Sequence, residues 1–363
     1  EHGRINTTPE MTFNRPSSYN ATNGKSGASL LIISNNAFLS AAAALQPVRE
    51  KEGTSTMLID VDDLYDEFNF GIRDPQAIKT FVQYAKQYKS DPKYVLLVGD
   101  ASLDPRNYMQ MGLADFVPTR MVITSLTKTA SDDWLTDTDG DGAADLPIGR
   151  LPADTADEAA LMINKLTTRG TPSGAWSKDA LFIADRPTDF DFGAAARSLA
   201  TLVPSSLNTR VLDLTLSASP STDVNAAMNQ GALFVDFIGH GSQELWSTTW
   251  AFTASDAAAM TNGNKLPVVF AMTCLNGYFF DTFMGSMAES LMKAPNGGAV
   301  AVWASSALTQ PDAQAVMNGE LLRQIFSNSA TLGEAAMRAK RVISDQDVKK
   351  SWILFGDPSM KLK

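Results

Sequence analysis

The sequence is poor in the residues that carry most nucleophilic chemistry. Among 363 residues there is one cysteine, Cys274, and two histidines, His2 and His240. A single cysteine excludes an internal disulfide framework. No apolar run approaches the roughly 18 residues that a membrane span needs. No basic cluster appears, and with 30 Lys and Arg against 40 Asp and Glu the formal net charge is −10, which argues against nucleic acid as a partner. There is no repeat of solenoid period and no extended low-complexity tract. Neither an initiator Met nor a signal peptide precedes Glu1, so the chain reads as a processed piece of a longer multidomain precursor.

What is present is enough length for one large or two fused α/β domains with a sizeable core. Residues 1–27 are polar and rich in Asn, Ser, Thr and Pro. They read as a linker, with His2 frayed. From there short apolar runs alternate with helical patterns. Strands are expected at 29–34, 54–61 and 93–98, with an Ala-rich helix at 36–45 and a second helix from Pro75, capped by Asp74, to about residue 88. After a turn-rich stretch at 168–176 the alternation restarts, with strands at 180–184, 209–214, 298–304 and 352–355 and helices between them. The pattern predicts an α/β fold, mostly parallel sheets covered by helices, in two side-by-side sub-domains, 28–170 and 171–363.

The scarce residues fall where such a fold places chemistry. The run ALFVDFI leads into Gly239-His240-Gly241-Ser242, and PVVFAMT leads into Cys274-Leu275-Asn276-Gly277. Both runs read as buried parallel strands. Adjacent strands of this kind deliver their following residues to one crevice at the carboxyl edge of the sheet. A thiol beside an imidazole there is the minimal machinery for nucleophilic catalysis, because the base draws off the proton and the thiolate attacks. The plain alternative is an inert core cysteine and a satisfied structural histidine.

GHGS followed by Trp246, then a strand ending in Cys-x-Asn-Gly, resembles the gingipain-type cysteine peptidases, secreted bacterial enzymes with a caspase-like (caspase-hemoglobinase) fold. KYVLLVGD at 93–100, DLPIGRLP at 145–152 and SWILFGDPSM at 351–360 extend the resemblance over most of the chain from about Ser29. It implies a secreted or cell-surface cysteine endopeptidase acting on protein or peptide substrates, with Cys274 and His240 catalytic and the N–H groups of Gly241 and Cys274 forming an oxyanion hole. It also implies that Asp145 orients His240. Relatives cut after Arg or Lys, and Asp189 is the closest match to their acidic pocket residue, with Asp191 as its rival and Asp312 on the far wall. The aromatic wall residue of relatives is missing near Pro311, leaving Trp246, Trp250 or Trp303 to supply it, unless these indoles are core packing. A sortase-like transpeptidase of the same lineage and a non-enzymatic surface or assembly module are the other readings.

Asp137, Asp139 and Asp141 alternate ahead of Gly142, which matches the opening of an oxygen-donor loop for Ca²⁺. Ile148 stands where an EF-hand has its bidentate Glu, so the match is partial, and a solvated acidic turn is the alternative. Asp145 is either the partner of His240 or a fourth ligand of this loop. No cofactor is required for the thiol chemistry.

Overall fold

The computed structural model describes residues 17, 27–86, 92–112 and 114–363. Apart from residues 17 and 27, the expected linker and His2 lie outside them. Fourteen strands are described: β1 (Leu30–Ser34), β2 (Thr56–Asp60), β3 (Tyr94–Val98), β4 (Arg120–Ile123), β5 (Lys128–Ser131), β6 (Ile148–Leu151), β7 (Asp179–Ala184), β8 (Asn208–Asp213), β9 (Phe234–Ile238), β10 (Leu245–Trp246), β11 (Phe252–Thr253), β12 (Val268–Met272), β13 (Ala301–Ser305) and β14 (Trp352–Phe355). Ten of them form one sheet in the order β2-β1-β3-β6-β14-β13-β12-β9-β7-β8. Its neighbours are parallel except β13 and β14.

That one antiparallel pair sets the geometry of the molecule. β14, from the end of the chain, inserts between β6 and β13, so the strands of the first half run opposite to those of the second. The carboxyl ends of β9, β12 and β13 therefore share an edge with the amino ends of β6 and β14.

Period-2 alternation buries both faces. In β1, Leu30 and Ile32 join the large core while Leu31 and Ile33 join a smaller one; in β3, Leu96 and Val98 separate from Val95 and Leu97 in the same way. The large core runs from β1 to β14 across both halves. Helices begin where the sequence supplies caps: Asp74 accepts from Gln76 N ahead of Pro75–Ala85, and Thr155 from Glu158 N ahead of Ala156–Arg169. The acidic run after β2 is the start of a helix, Val61–Asn69, with Asp60 as its cap and Asp62 and Asp63 in its first turn, where carboxylates meet the positive end of the helix dipole. Among the described residues no helix is long and apolar enough to cross a membrane.

One buried polar pair crosses the core. Asp236, in the middle of β9, accepts from Asn318 Nδ2 at 3.0 and 2.8 Å, and Asn318 sits on the helix Pro311–Ser327. Both are fully buried, and Asn318 Oδ1 has no donor. Burial pushes the Asp236 carboxyl up to about 8, although the Asn318 amide opposes this. A proton on Asp236 is thus retained in the fold and lost on unfolding, where a carboxylate titrates near pH 4. Because the folded value is the higher one, stability falls as pH rises from about 4 to about 8 and levels off above, at up to about 1.4 kcal/mol per pH unit. Asp236→Asn removes the ionisation and supplies a donor. Its stability advantage over wild type in urea denaturation is expected to grow between pH 5 and pH 8; a pH-independent difference contradicts a buried proton.

Candidate functional site

β9 and β12 lie side by side with Ile238 opposite Met272, and two residues beyond each come His240 and Cys274. The two loops touch: Gly239 N–H donates to Met272 O at 3.2 Å. A Cβ on Gly241 would collide with Thr273 Oγ1 and with Leu245 O, so only glycine fits there. His240 and Cys274 are both half-buried, at the rim rather than in the core. The thiol faces the loop after β13, with Thr309 N 3.4 Å and Thr309 O 3.5 Å from Sγ. Leu275, the next residue, has φ +60°, a conformation that costs a non-glycine residue free energy and tends to occur at functional sites.

The imidazole lies edge-on to Phe192, 5.2 Å between ring centres. Its Nε2 is 3.0 Å from Thr188 Oγ1, and that hydroxyl donates to Asp189 Oδ1 at 2.9 Å. A hydroxyl has one proton, so with that proton on Asp189 the hydrogen bond from His240 must be Nε2–H to Oγ1. In that tautomer Nδ1 is the ring nitrogen that carries no proton. The Thr188 hydroxyl, the Asp189 N–H and the nearby His240 hold the Asp189 carboxyl below its ordinary range. Among the described residues, the backbone N–H groups of Gly241 and Cys274 have no acceptor within the protein.

Several sequence expectations need correction. Asp145 does not meet His240. It accepts from Thr138 N at 2.8 Å and from the Thr138 hydroxyl, and Lys86 Nζ lies 3.8 Å away. Burial works against its ionisation, but these partners hold its carboxyl below the usual range. The reason is lateral distance: Asp145 leads into β6, and β14, β13 and β12 separate β6 from β9. Trp246 is no pocket wall, since it is fully buried, stacks on Phe237 at 4.5 Å and donates from Nε1 to Asn276 Oδ1 at 2.6 Å. Trp303 is buried as well, whereas Trp250, just beyond the His240 turn, is 64% exposed. Asp191 accepts from Ala194 N as the cap of the helix Phe192–Ala200. Asp312 is exposed in the first turn of Pro311–Ser327, three residues past Thr309.

In the acidic loop, Asp137, Asp139 and Asp145 bring one carboxylate oxygen each within 4.8 Å of the others. Asp141 turns away to accept from Ala143 N, so the grouping differs from the one expected, with Asp145 in the place of Asp141.

The residues that sequence reasoning missed support the reacting pair. Asp185 follows β7 as His240 follows β9, and its buried carboxylate accepts from His240 N at 3.1 Å. The signal was available, because Asp185 directly follows an apolar strand at the same sheet edge. Asn276 stands in the Cys-x-Asn-Gly motif without a role assigned from sequence, and Thr188 gave no signal.

Fold and edge together define a caspase-like α/β protein with a cysteine and a histidine on one sheet rim. The chain belongs to Peptidase family C25, whose family model matches residues 23–363. Gingipain R2 of Porphyromonas gingivalis is 24% identical over 368 residues, covering 89% of this chain and 48% of that protein. Gingipain R1 of the same species is 30% identical over 152 residues, 38% of this chain and 15% of that protein. The chain spans less than half the length of these curated relatives. Among solved structures, the complex of the Porphyromonas gingivalis RgpB pro- and mature domains superposes with a TM-score of 0.77 at 20% identity, over 93% of this chain and 79% of that one. The Arg specific cysteine proteinase gingipain R gives 0.75 at 22% identity, over 93% and 78%. These structural likenesses establish the fold.

Proposed function

We propose that this chain is a cysteine endopeptidase that works through a Cys274–His240 pair. The observation that supports it most is the register of β9 against β12, which brings both residues to the same sheet rim, where among the described residues the N–H groups of Gly241 and Cys274 have no acceptor. In the first step the Cys274 proton passes to His240 Nδ1 and Sγ bonds to the scissile carbonyl carbon. The N–H groups of Gly241 and Cys274 stabilise the oxyanion. The C–N bond then breaks and the leaving amine takes the proton from His240. Water, losing a proton to the same imidazole, hydrolyses the thioester and restores the thiol.

A preference for Arg or Lys before the cut is part of the proposal. Its support is an exposed, ionised Asp189 beside His240, with Asp312 as the second rim carboxylate; Asp191 is engaged in its cap. Asp137, Asp139 and Asp145 are proposed to hold a structural Ca²⁺, since crowded carboxylates repel unless a cation relieves them. Lys79, 3.6 Å from Asp137, and Lys86 supply part of that charge already.

A fluorogenic peptide panel varied at the residue before the cut tests these points together. Cleavage is expected to favour Arg and Lys at least about tenfold over neutral residues and to stop after iodoacetamide treatment. A chelator is expected to lower the melting temperature, with calcium restoring it. Turnover that survives full alkylation sinks the thiol mechanism. A flat panel removes the acidic pocket, and an unmoved melting temperature removes the ion. The protein is further proposed to act outside the cell, a reading supported by its membership of Peptidase family C25 and its similarity to the gingipains. Fractionation of the producing cells that finds it only in the cytoplasm contradicts that.

A further inference from the structure

We propose that Asn276 is a positioning residue that locks the loop bearing His240 onto the loop bearing Cys274. The inference rests on the Cys274–His240 reading and deepens it. After β9 the chain folds into a small hairpin: Ser247 N–H donates to His240 O at 2.8 Å, Ser242 N–H donates to Leu245 O at 3.1 Å, and Gly241 is bridged to Trp246. His240 thus stands at the root of a closed turn. Farther along, Gln243 ties the turn to the segment after the thiol: Nε2 donates to Asp281 Oδ2 at 3.0 Å and to Met284 O at 2.8 Å, and Met287 N–H donates to Gln243 O at 2.7 Å.

The side chain of Asn276 supplies the connection nearest the nucleophile, two residues after Cys274. It is fully buried, and its amide uses every group it has. Nδ2 donates to Ser242 O at 2.6 Å and lies 3.3 Å from Leu245 O, while Oδ1 accepts from Trp246 Nε1 at 2.6 Å. Three polar groups of the His240 hairpin therefore close on one side chain that lies two residues after the nucleophile. The positive φ of Leu275 turns the chain between them, so that Cys274 faces the cleft while Asn276 faces the hairpin. The Asn276 backbone is fixed in turn, since its carbonyl accepts from Ala288 N at 2.9 Å at the start of the helix Met287–Lys293. In a buried site a satisfied amide of this kind is stiff, and leaving any of its partners unpaired is costly. The chemistry of the residue type follows. Two donors and one acceptor at this reach fit asparagine, whereas aspartate sets a carboxylate against two carbonyl oxygens.

The test compares Asn276→Asp, Asn276→Ala and Trp246→Phe, which removes the indole N–H while retaining an aromatic ring on Phe237, with His240→Ala and wild type. Folding is checked by thermal melting. Two readouts are followed: kcat and KM on a peptide substrate, and the pH dependence of Cys274 alkylation by iodoacetamide. Displacing the imidazole by about 1 Å is expected to lower kcat about 100-fold with KM little changed. It also moves the alkylation profile of Asn276→Ala toward that of His240→Ala. In Asn276→Asp, activity is expected to recover in part at acidic pH, where the carboxyl regains a proton to donate. Trp246→Phe shifts both readouts in the same direction by a smaller factor, and it decides the matter should both Asn276 variants fail to fold. Folded variants whose alkylation profile and kcat match wild type overturn the positioning role. If His240→Ala itself leaves both readouts unchanged, the Cys274–His240 mechanism fails instead.

Discussion

Cys274→Ala is expected to lose peptide cleavage by at least about four orders of magnitude while the fold stays intact. The two effects separate for a physical reason. The thiol is half-buried at a loop, and its described polar contacts are the long ones to Thr309, so truncating it leaves no large cavity and changes stability by about 1 kcal/mol or less. The chemistry has no substitute. Without sulfur no acyl-enzyme forms, and the oxyanion donors and substrate contacts alone retain only a small residue of the rate. Four orders correspond to about 5.5 kcal/mol of barrier. Steady-state kinetics and a melting curve on the same preparation check it, and a variant that cleaves at the wild-type rate removes Cys274 from the mechanism.

The second large effect is on stability. Arg150 in β6 is fully buried and makes four hydrogen bonds: Nε and Nη2 to the two oxygens of Asp132 at 2.8 and 2.7 Å, and Nη1 to Gly99 O and Val117 O at 2.8 and 2.7 Å. Its guanidinium also lies 5.0 Å from the Phe279 ring, five residues after Cys274. One side chain thus holds both ends of the connection from β3 to β4, and the residue after β5, against the segment that follows the nucleophile. Arg150→Met fills much of the volume but leaves Asp132 charged in the core with Thr119 as its remaining close donor. Breaking a buried pair in this way costs about 3–5 kcal/mol. Arg150→Lys is not expected to rescue it, because an ammonium cannot reproduce the planar fork. Urea denaturation reads the loss; a change under about 1 kcal/mol means that the network relaxes around the missing group.

Much of the fold was legible from the apolar runs. β1, β3, β7, β9, β12 and β14 fall within a residue or two of their expected positions, because buried parallel strands are short, dense and bounded by turn formers. The hairpin of β4 and β5 was not visible, since RMVI and KTAS are partly exposed and carry no clean alternation. The reversal at β14 was not visible either. Its apolar run reads the same in either direction, and its neighbours are set by chain segments two hundred residues apart.

The site divides along the same line. Local sequence determined that a lone cysteine and a histidine would follow buried strands, because strand length and the glycines after it are written in neighbouring residues. Only the tertiary structure decided which carboxylate serves which group. Asp145 and Asp189 look alike in sequence, but strand order puts the first against Thr138 and Lys86 and the second, through Thr188, against His240. The burial of Trp246 and its bond to Asn276 were decided the same way. Hydrogen bonds between side chains depend on which strands become neighbours, and in a parallel sheet that choice is made by long-range packing rather than by nearby sequence.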